Sequence, residues 1–170
     1  MSSRTDFIYP NNGVPHSKTK VNSAPQPDVQ NSRVKIKNAV ITSQENLTDD
    51  TFLLTVKLDN NEVLNSHAGQ YGTLKVQELD KPRAFSFAKS PTSEKKGEFS
   101  FFIKQVPGGL FSDYLNENRT GQKIVLSGPM GQFKIDESNE DMVCIAGGSG
   151  MSAINAIVEE AAYNQVKRNC

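Results

Sequence analysis

The sequence predicts a mainly β fold in which an antiparallel barrel or sandwich leads into the opening unit of a doubly wound α/β domain. Three observations predict it. Short apolar runs alternate with polar residues from Arg33 to about Asp136, separated by Gly, Pro or Asn/Asp turn signals. A continuous apolar run, Met142-Val143-Cys144-Ile145-Ala146, then replaces the alternation, as in a strand buried on both faces. Gly147-Gly148-Ser149-Gly150 follows, and Ile154, Ile157, Val158, Ala161 and Ala162 then fall at helical spacing.

Residues 1–32 read as a disordered arm or linker. Pro10, Pro15, Pro25 and Pro27 are half of the chain's 8 prolines and stand among Asn, Ser, Gln and Gly. The one apolar cluster there, Phe7-Ile8-Tyr9, buries too little to offset an ordering entropy of about 1–2 kcal/mol per residue. The alternative is a docking peptide that uses those aromatics. From residue 33 to 137 the strands follow one another. Val34 and Ile36 alternate with lysines, and Phe52, Leu54, Val56 and Leu58 occupy every second position, which puts all four on one strand face. Asp59-Asn60-Asn61 signals a turn. Gly72-Leu74-Val76, Phe85-Phe87, Phe99-Phe101-Ile103 and Ile124-Leu126 repeat the alternation. One short helix interrupts it, because Leu110, Phe111, Tyr114 and Leu115 form a single apolar stripe after Gly108-Gly109. Residues 138–170 supply one strand, the glycine loop and one helix, the start of a nucleotide-binding domain that needs further βαβ units.

Composition narrows the function. Nineteen Lys+Arg balance 19 Asp+Glu, so no basic footprint for nucleic acid or an anionic membrane exists. Two cysteines, Cys144 and Cys170, fall short of the four ligands of an iron–sulfur cluster, and no disulfide framework is expected. No apolar stretch approaches the roughly 20 residues of a membrane span, and the start lacks a signal-peptide core, so the expected location is cytoplasmic. His16 and His67 have no second ligand at metal spacing. Cys144, inside an apolar run, reads as a small buried hydrophobe.

Two constellations carry chemistry. In the glycine loop, three glycines allow a tight turn and close ligand approach, and the following helix offers unpaired N–H groups to a phosphate. Gly148-Ser149-Gly150-Met151-Ser152-Ala153 also fits G-x-G-x-x-A, between the strand and the helix that this motif requires. The acidic residue that would select a ribose, about 20 residues further on, falls beyond Cys170; Glu159 and Glu160 read as solvated charges. The second constellation is Arg83-Ala84-Phe85-Ser86. The guanidinium fork suits a pyrophosphate, and an aromatic face beside it could stack a ring. Taken alone, an Arg and a Phe in a strand are more often edge charge and core.

The order of motifs changes that weighting. Arg83-Ala84-Phe85-Ser86, Pro107-Gly108-Gly109-Leu110-Phe111-Ser112-Asp113-Tyr114-Leu115, Ser127-Gly128-Pro129-Met130-Gly131-Gln132-Phe133 and Ile145-Ala146-Gly147-Gly148-Ser149-Gly150 follow one another. This series resembles the ferredoxin–NADP reductase superfamily over about Arg33 to Val166, and most of all the reductase components of bacterial multicomponent oxygenases, of the methane monooxygenase and phenol hydroxylase type. The resemblance implies a flavin-binding β-barrel followed by the first βα unit of a Rossmann-like NAD(P) domain. Arg83 would hold the FAD pyrophosphate. Phe85 would stand where the family's tyrosine stacks on the isoalloxazine, keeping the stacking and losing a hydroxyl. Ser86, the residue given a catalytic role, would hydrogen-bond near N5, the hydride acceptor. Phe87 would add backbone contacts, and Ile103 and Lys104 would lie along the ribityl chain. Gly109, Phe111 and Ser112 would cap the pyrophosphate with helix N–H groups. Gly147, Gly148, Ser149 and Gly150 would receive the NAD(P)H pyrophosphate, with Ser149 in place of the usual Thr and Ala153 in place of the usual Pro.

The implied activity is that of an NAD(P)H-dependent flavoprotein reductase passing electrons through FAD to an iron–sulfur or oxygenase partner, with no cluster in this chain. The alternatives are a non-catalytic flavin-binding or assembly module and a free flavin reductase. The further βα units of the family's nicotinamide domain and its plant-type [2Fe–2S] domain have no counterpart here, so the length reads as a truncation within the NAD(P)-binding domain.

Overall fold

The computed structural model describes residues 34–135, 138 and 140–164; the arm of residues 1–32, His16 and Cys170 lie outside them. Six strands, β1 (Lys35–Thr48), β2 (Thr51–Leu58), β3 (Tyr71–Lys75), β4 (Arg83–Ser86), β5 (Glu98–Lys104) and β6 (Lys123–Met130), are joined by helix α1 (Leu110–Tyr114) and followed by α2 (Met151–Tyr163). Every ladder is antiparallel, in the order β4-β3-β6-β1-β2-β5. The two end strands come round to face one another, and the Ala88 N–H donates to the Ser100 carbonyl at 2.7 Å. The sheet is thus a nearly closed barrel, one of the two forms that the alternation allows and the one that the resemblance implies.

The alternating residues point where a period of two puts them. Leu54 and Val56 of β2 are fully buried, as are Leu74 of β3, Phe101 of β5 and Leu126 of β6. Aromatic rings fill the space between strands, with Phe87 at 5.1 Å from Phe99 and 5.7 Å from Phe101, both tilted as ring quadrupoles favour. β1 departs from strict alternation. Ile41 pairs with Val56 and Ser43 with Thr55, so Thr42 is an extra residue without a partner. Such a bulge re-aims the strand beyond it. Gln44 consequently lies opposite the buried Leu54 and faces inward, where Nε2 donates to the Leu115 carbonyl at 2.6 Å and Oε1 accepts from the Arg119 N–H at 3.1 Å. That side chain ties the end of α1 to the barrel.

Two expectations for the segment after the barrel are corrected. Met142–Ala146 is not a strand. A parallel strand exists only when neighbours take its N–H and C=O groups, and no described segment pairs with this one; Val143 and Ile145 stand 85% and 87% exposed. The helix forms as predicted, and Ile157 and Ala161 of the predicted stripe are buried, but the buried face is rotated toward Ser152 and Ala156. Ser152, Ala156, Ile157 and Ala161 are inside, whereas Ile154 is half-buried and Val158 and Ala162 are exposed. The reason is the packing partner. α2 lies on the barrel, with Ala156 and Ile157 against Ala68, and small side chains permit that approach.

Replacing Phe101 by Ala removes a fully buried ring and is expected to destabilise the chain by about 3–5 kcal/mol. Ile36→Ala, at a position 72% exposed, should change it by less than about 0.5 kcal/mol. Urea unfolding followed by far-UV circular dichroism measures both.

Candidate functional site

The barrel has one gap. β4 and β5 end the ladder, and beyond the Ala88–Ser100 hydrogen bond their facing edges have no ladder partner. Arg83–Ser86 form one side of this gap and Phe101–Lys104 the other, with α1 beside them. Phe85 bridges all three, its ring 5.1 Å from Phe111 and 6.5 Å from Phe101. The register separates the predicted residues by face. Arg83 and Phe85 pair with the buried Leu74 and Gly72 and point to the inner side, whereas Ser86 pairs with Tyr71, which is 36% exposed, and points out. Half of Phe85 is therefore committed to the core rather than free for stacking.

Arg83 is exposed and forms no ion pair among the described residues. It shares a groove of about 340 Å³ with Leu110, the first residue of α1, and with Glu78, Asp80 and Lys81. The first hydrogen bond of α1 runs from the Asp113 N–H to the Gly109 carbonyl at 2.8 Å, so the N–H groups of Leu110, Phe111 and Ser112 are left without helical acceptors. Ser86 Oγ likewise makes no hydrogen bond among the described residues.

Other predicted residues are engaged in the fold itself. Ser112 Oγ accepts from the Val106 N–H at 3.1 Å and reaches the carbonyls of Val106 and Gly109 at 3.0 and 2.9 Å, so its hydroxyl staples the turn and only its N–H remains available. Gly109 is required by the same staple: a Cβ there would lie 2.7 Å from Ser112 Oγ and 2.9 Å from the Val106 carbonyl oxygen. Phe87 is a core ring whose N–H already binds the Gln70 carbonyl at 3.0 Å. Ile103 points into the core opposite Phe52. Lys104 points out and pairs with Asp50 at 3.1 Å, and hydrogen bonds from Lys104, Thr51 and Thr48 hold that carboxyl below its ordinary pKa.

Gly147–Gly150 are exposed, and a Cβ on Gly147, Gly148 or Gly150 would meet nothing within 4 Å. Gly148 has φ +52°, a conformation that side chains disfavour. The turn lies beside β5 and opens directly into α2. Glu159 and Glu160 are not solvated charges, which corrects the sequence expectation. Glu159 Oε2 accepts from the Ser90 N–H at 3.0 Å and from Ser93 Oγ at 2.7 Å. Glu160 Oε2 accepts from Ser90 Oγ and, at 3.1 Å, from Thr92 Oγ1. Burial pushes the Glu159 carboxyl up, but hydrogen bonds from Ser93, Ser90 and Asn155 and the Lys89 charge outweigh it, and its pKa lies below the usual value. Sequence reasoning missed Gln44, Ser90 and Asn155 entirely, since their partners lie about 70 residues away in the chain. Among the described residues no group of three His, Cys, Asp or Glu could hold a metal, and no helix is long and apolar enough to cross a membrane.

Comparison with known proteins bears on this geometry. The family model described as the oxidoreductase FAD-binding domain matches residues 38–135. The chain is 35% identical over 133 residues to the xylene/toluene monooxygenase electron transfer component of Pseudomonas putida, covering 78% of this chain and 37% of that protein. It is 31% identical to the phenol 2-monooxygenase reductase component of Pseudomonas sp. strain CF600, again covering 78% and 37%. Among solved structures, the ferredoxin reductase in carbazole 1,9a-dioxygenase superposes with TM-score 0.69 at 32% identity, over 76% of this chain and 39% of that one. The Amycolatopsis cytochrome P450 reductase gives 0.71 at 25%, over 79% and 41%. The chain thus spans well under half the length of these relatives.

Gly109→Ala should cost about 1–3 kcal/mol through the clash with the Ser112 staple. Gly108→Ala meets nothing within 4 Å and bears only the strain of φ +75°, about 1–2 kcal/mol; chemical denaturation ranks the two. Because the Glu159 carboxyl is depressed in the folded chain, its contribution is complete above the ordinary glutamate pKa of about 4.3 and is lost as pH falls through the lower, folded value. Amide exchange of α2 measured from pH 7 downward should show protection lost in that acid window.

Proposed function

Because the chain belongs to the oxidoreductase FAD-binding domain family, we propose that it holds FAD at the gap between β4 and β5. On this reading it is the flavin-carrying part of an NAD(P)H-dependent reductase that supplies electrons to an iron–sulfur or oxygenase partner. One observation supports the reading: the Arg83 guanidinium and the N–H groups of Leu110, Phe111 and Ser112, donors left unengaged among the described residues, lie together beside that gap, while Ser86 faces the outer side of β4.

The residues fit the group. Arg83 and the start of α1 line one groove, and together they offer a planar cation and backbone donors suited to a pyrophosphate. The unpaired edge of β5 at Ile103 and Lys104 offers backbone groups to a polyol chain, while Phe85 closes the inner side against water. When bound, FAD supplies the redox chemistry, taking a hydride from a nicotinamide and releasing electrons singly. Ser86, on the outer face beside Tyr71, would offer its hydroxyl as a hydrogen-bond partner to the flavin ring. Gly147, Gly148 and Gly150, where even a Cβ would meet nothing within 4 Å, would leave the dinucleotide's phosphates room to approach. Relatives that are electron transfer or reductase components of monooxygenases and dioxygenases support the choice of partner class.

The chain incubated with FAD and desalted should be yellow. Arg83→Ala should weaken FAD binding about 10- to 100-fold, the equivalent of about 1.5–3 kcal/mol for a charged hydrogen-bonded pair, and leave riboflavin affinity unchanged. A chain that stays colourless with both flavins refutes the proposal. Bound flavin that neither NADH nor NADPH bleaches under anaerobic conditions would make the chain a non-catalytic flavin module instead.

A further inference from the structure

The segment that leaves β4 receives α2 almost at once. Ser86 ends the strand, and two residues later the Ala88 N–H binds Ser100 on β5 while its carbonyl accepts from Asn155 Nδ2 at 2.7 Å. Ser90 is completely buried; its N–H donates to Glu159 and its hydroxyl to Glu160. Thr92 Oγ1 adds a second bond to Glu160 and Ser93 Oγ a second to Glu159. Asn155 also donates to Glu159 Oε1 at 3.0 Å, which holds that carboxylate in its bridging orientation. Five hydrogen bonds therefore join one helix face to Ala88–Ser93. The apolar contact of α2 comes from Ala156 and Ile157 on Ala68, with Ile135 and Met142 packed against them. The hydrogen bonds add directional contacts that such packing lacks.

We propose that Asn155, Glu159 and Glu160 are positioning residues: they clasp α2 to Ala88–Ser93 and so fix the Gly147–Gly150 loop relative to Ser86. The geometry ties the two through short, stiff paths. Gly150 is continuous with the first turn of α2, and Ala88 is two residues from Ser86 and anchored to β5. With the clasp closed, the glycine loop and the outer face of β4 form one body. With it open, α2 keeps the barrel contact of Ala156 and Ile157 with Ala68 but loses the hydrogen bonds that fix its register on Ala88–Ser93. The consequence for hydride transfer rests on the function proposed above; the clasp itself does not.

Hydrogen exchange with mass spectrometry on the full chain, with and without FAD, tests the clasp. In Glu159→Gln the new amide must face either Asn155 Nδ2 or the Ser90 and Ser93 donors, a donor against a donor. Amides of residues 152–163 should then exchange at least about ten times faster, while β1, β2 and β6 keep wild-type protection. Thr92→Val, which removes one clasp bond from the loop side, should shift exchange in the same direction, and Thr92→Ser should restore it. FAD affinity should stay within about two-fold, while bleaching of bound flavin by NADH slows at least about ten-fold. Unchanged exchange of α2 in Glu159→Gln and Thr92→Val, or equal loss of protection in the barrel strands, overturns the clasp. Altered α2 exchange in a chain whose flavin NADH never bleaches supports the clasp and removes only the catalytic reading above it.

Discussion

The incomplete closure between β4 and β5 is the constraint on which the rest of the structure depends. An unpaired pair of strand edges exposes N–H and C=O groups that must be covered or satisfied. Ladder pairing satisfies them at one point, Ala88 to Ser100. Elsewhere other devices do it: the Phe85 ring lying between Phe101 and Phe111, the short helix α1, and the polar clasp from α2. The same incompleteness leaves donors such as Arg83 and the first N–H groups of α1 without a partner among the described residues. A barrel sealed by a seventh strand would be more regular and would leave no such donors at this edge.

Each device in turn depends on a local irregularity. The Thr42 bulge reverses the facing of β1 and turns Gln44 inward, where it takes up carbonyls and an N–H at the end of α1. At the start of that helix, Ser112 folds back on Val106, and Gly109 leaves the space that this contact needs. α1 has only five residues, too few to be stable alone. Its orientation beside Arg83 is imposed from both ends by side chains rather than by its own hydrogen bonds.

Period-two alternation was sufficient to place β2, β3, β5 and β6, because a half-buried strand writes its burial directly into consecutive residues. The motif order drew attention to neighbours in space: Arg83 and Phe85 lie beside α1, whose start carries Gly109 and Ser112, while Ser86 faces the other side of β4. Roles were less legible than positions. Gly109 and Ser112 suggested phosphate contact, yet a staple accounts for both the glycine and the hydroxyl, and no spacing rule distinguishes these uses. Glu159 and Glu160 looked like solvent charges because their donors, Ser90, Thr92 and Ser93, are hydroxyl and backbone groups remote in sequence. Met142–Ala146 shows the limit of apolar pattern alone. A run of that kind reports what a strand would bury if neighbours were present, and burial is a property of the neighbours.

Charge placement around Ala88–Ser100 shows why a carboxylate can hold this junction together. Glu94, in the same loop, keeps Oε1 buried without a hydrogen-bond partner among the described residues, and burial raises its pKa despite help from Ser100 and Lys89. Glu159 is also penalised by burial, yet its pKa is lowered because Ser93, Ser90 and Asn155 all donate to it. The two groups share the Lys89 field, so that cation does not separate them; the deeper burial of Glu94 and the fuller set of donors at Glu159 do. A buried carboxylate costs stability unless its oxygens are occupied, and Glu159 meets that condition with groups drawn from both sides of the junction. The interaction therefore exists only when α2 and the β4 extension are in register, which makes the ionised side chain a gauge of position and not merely a source of attraction.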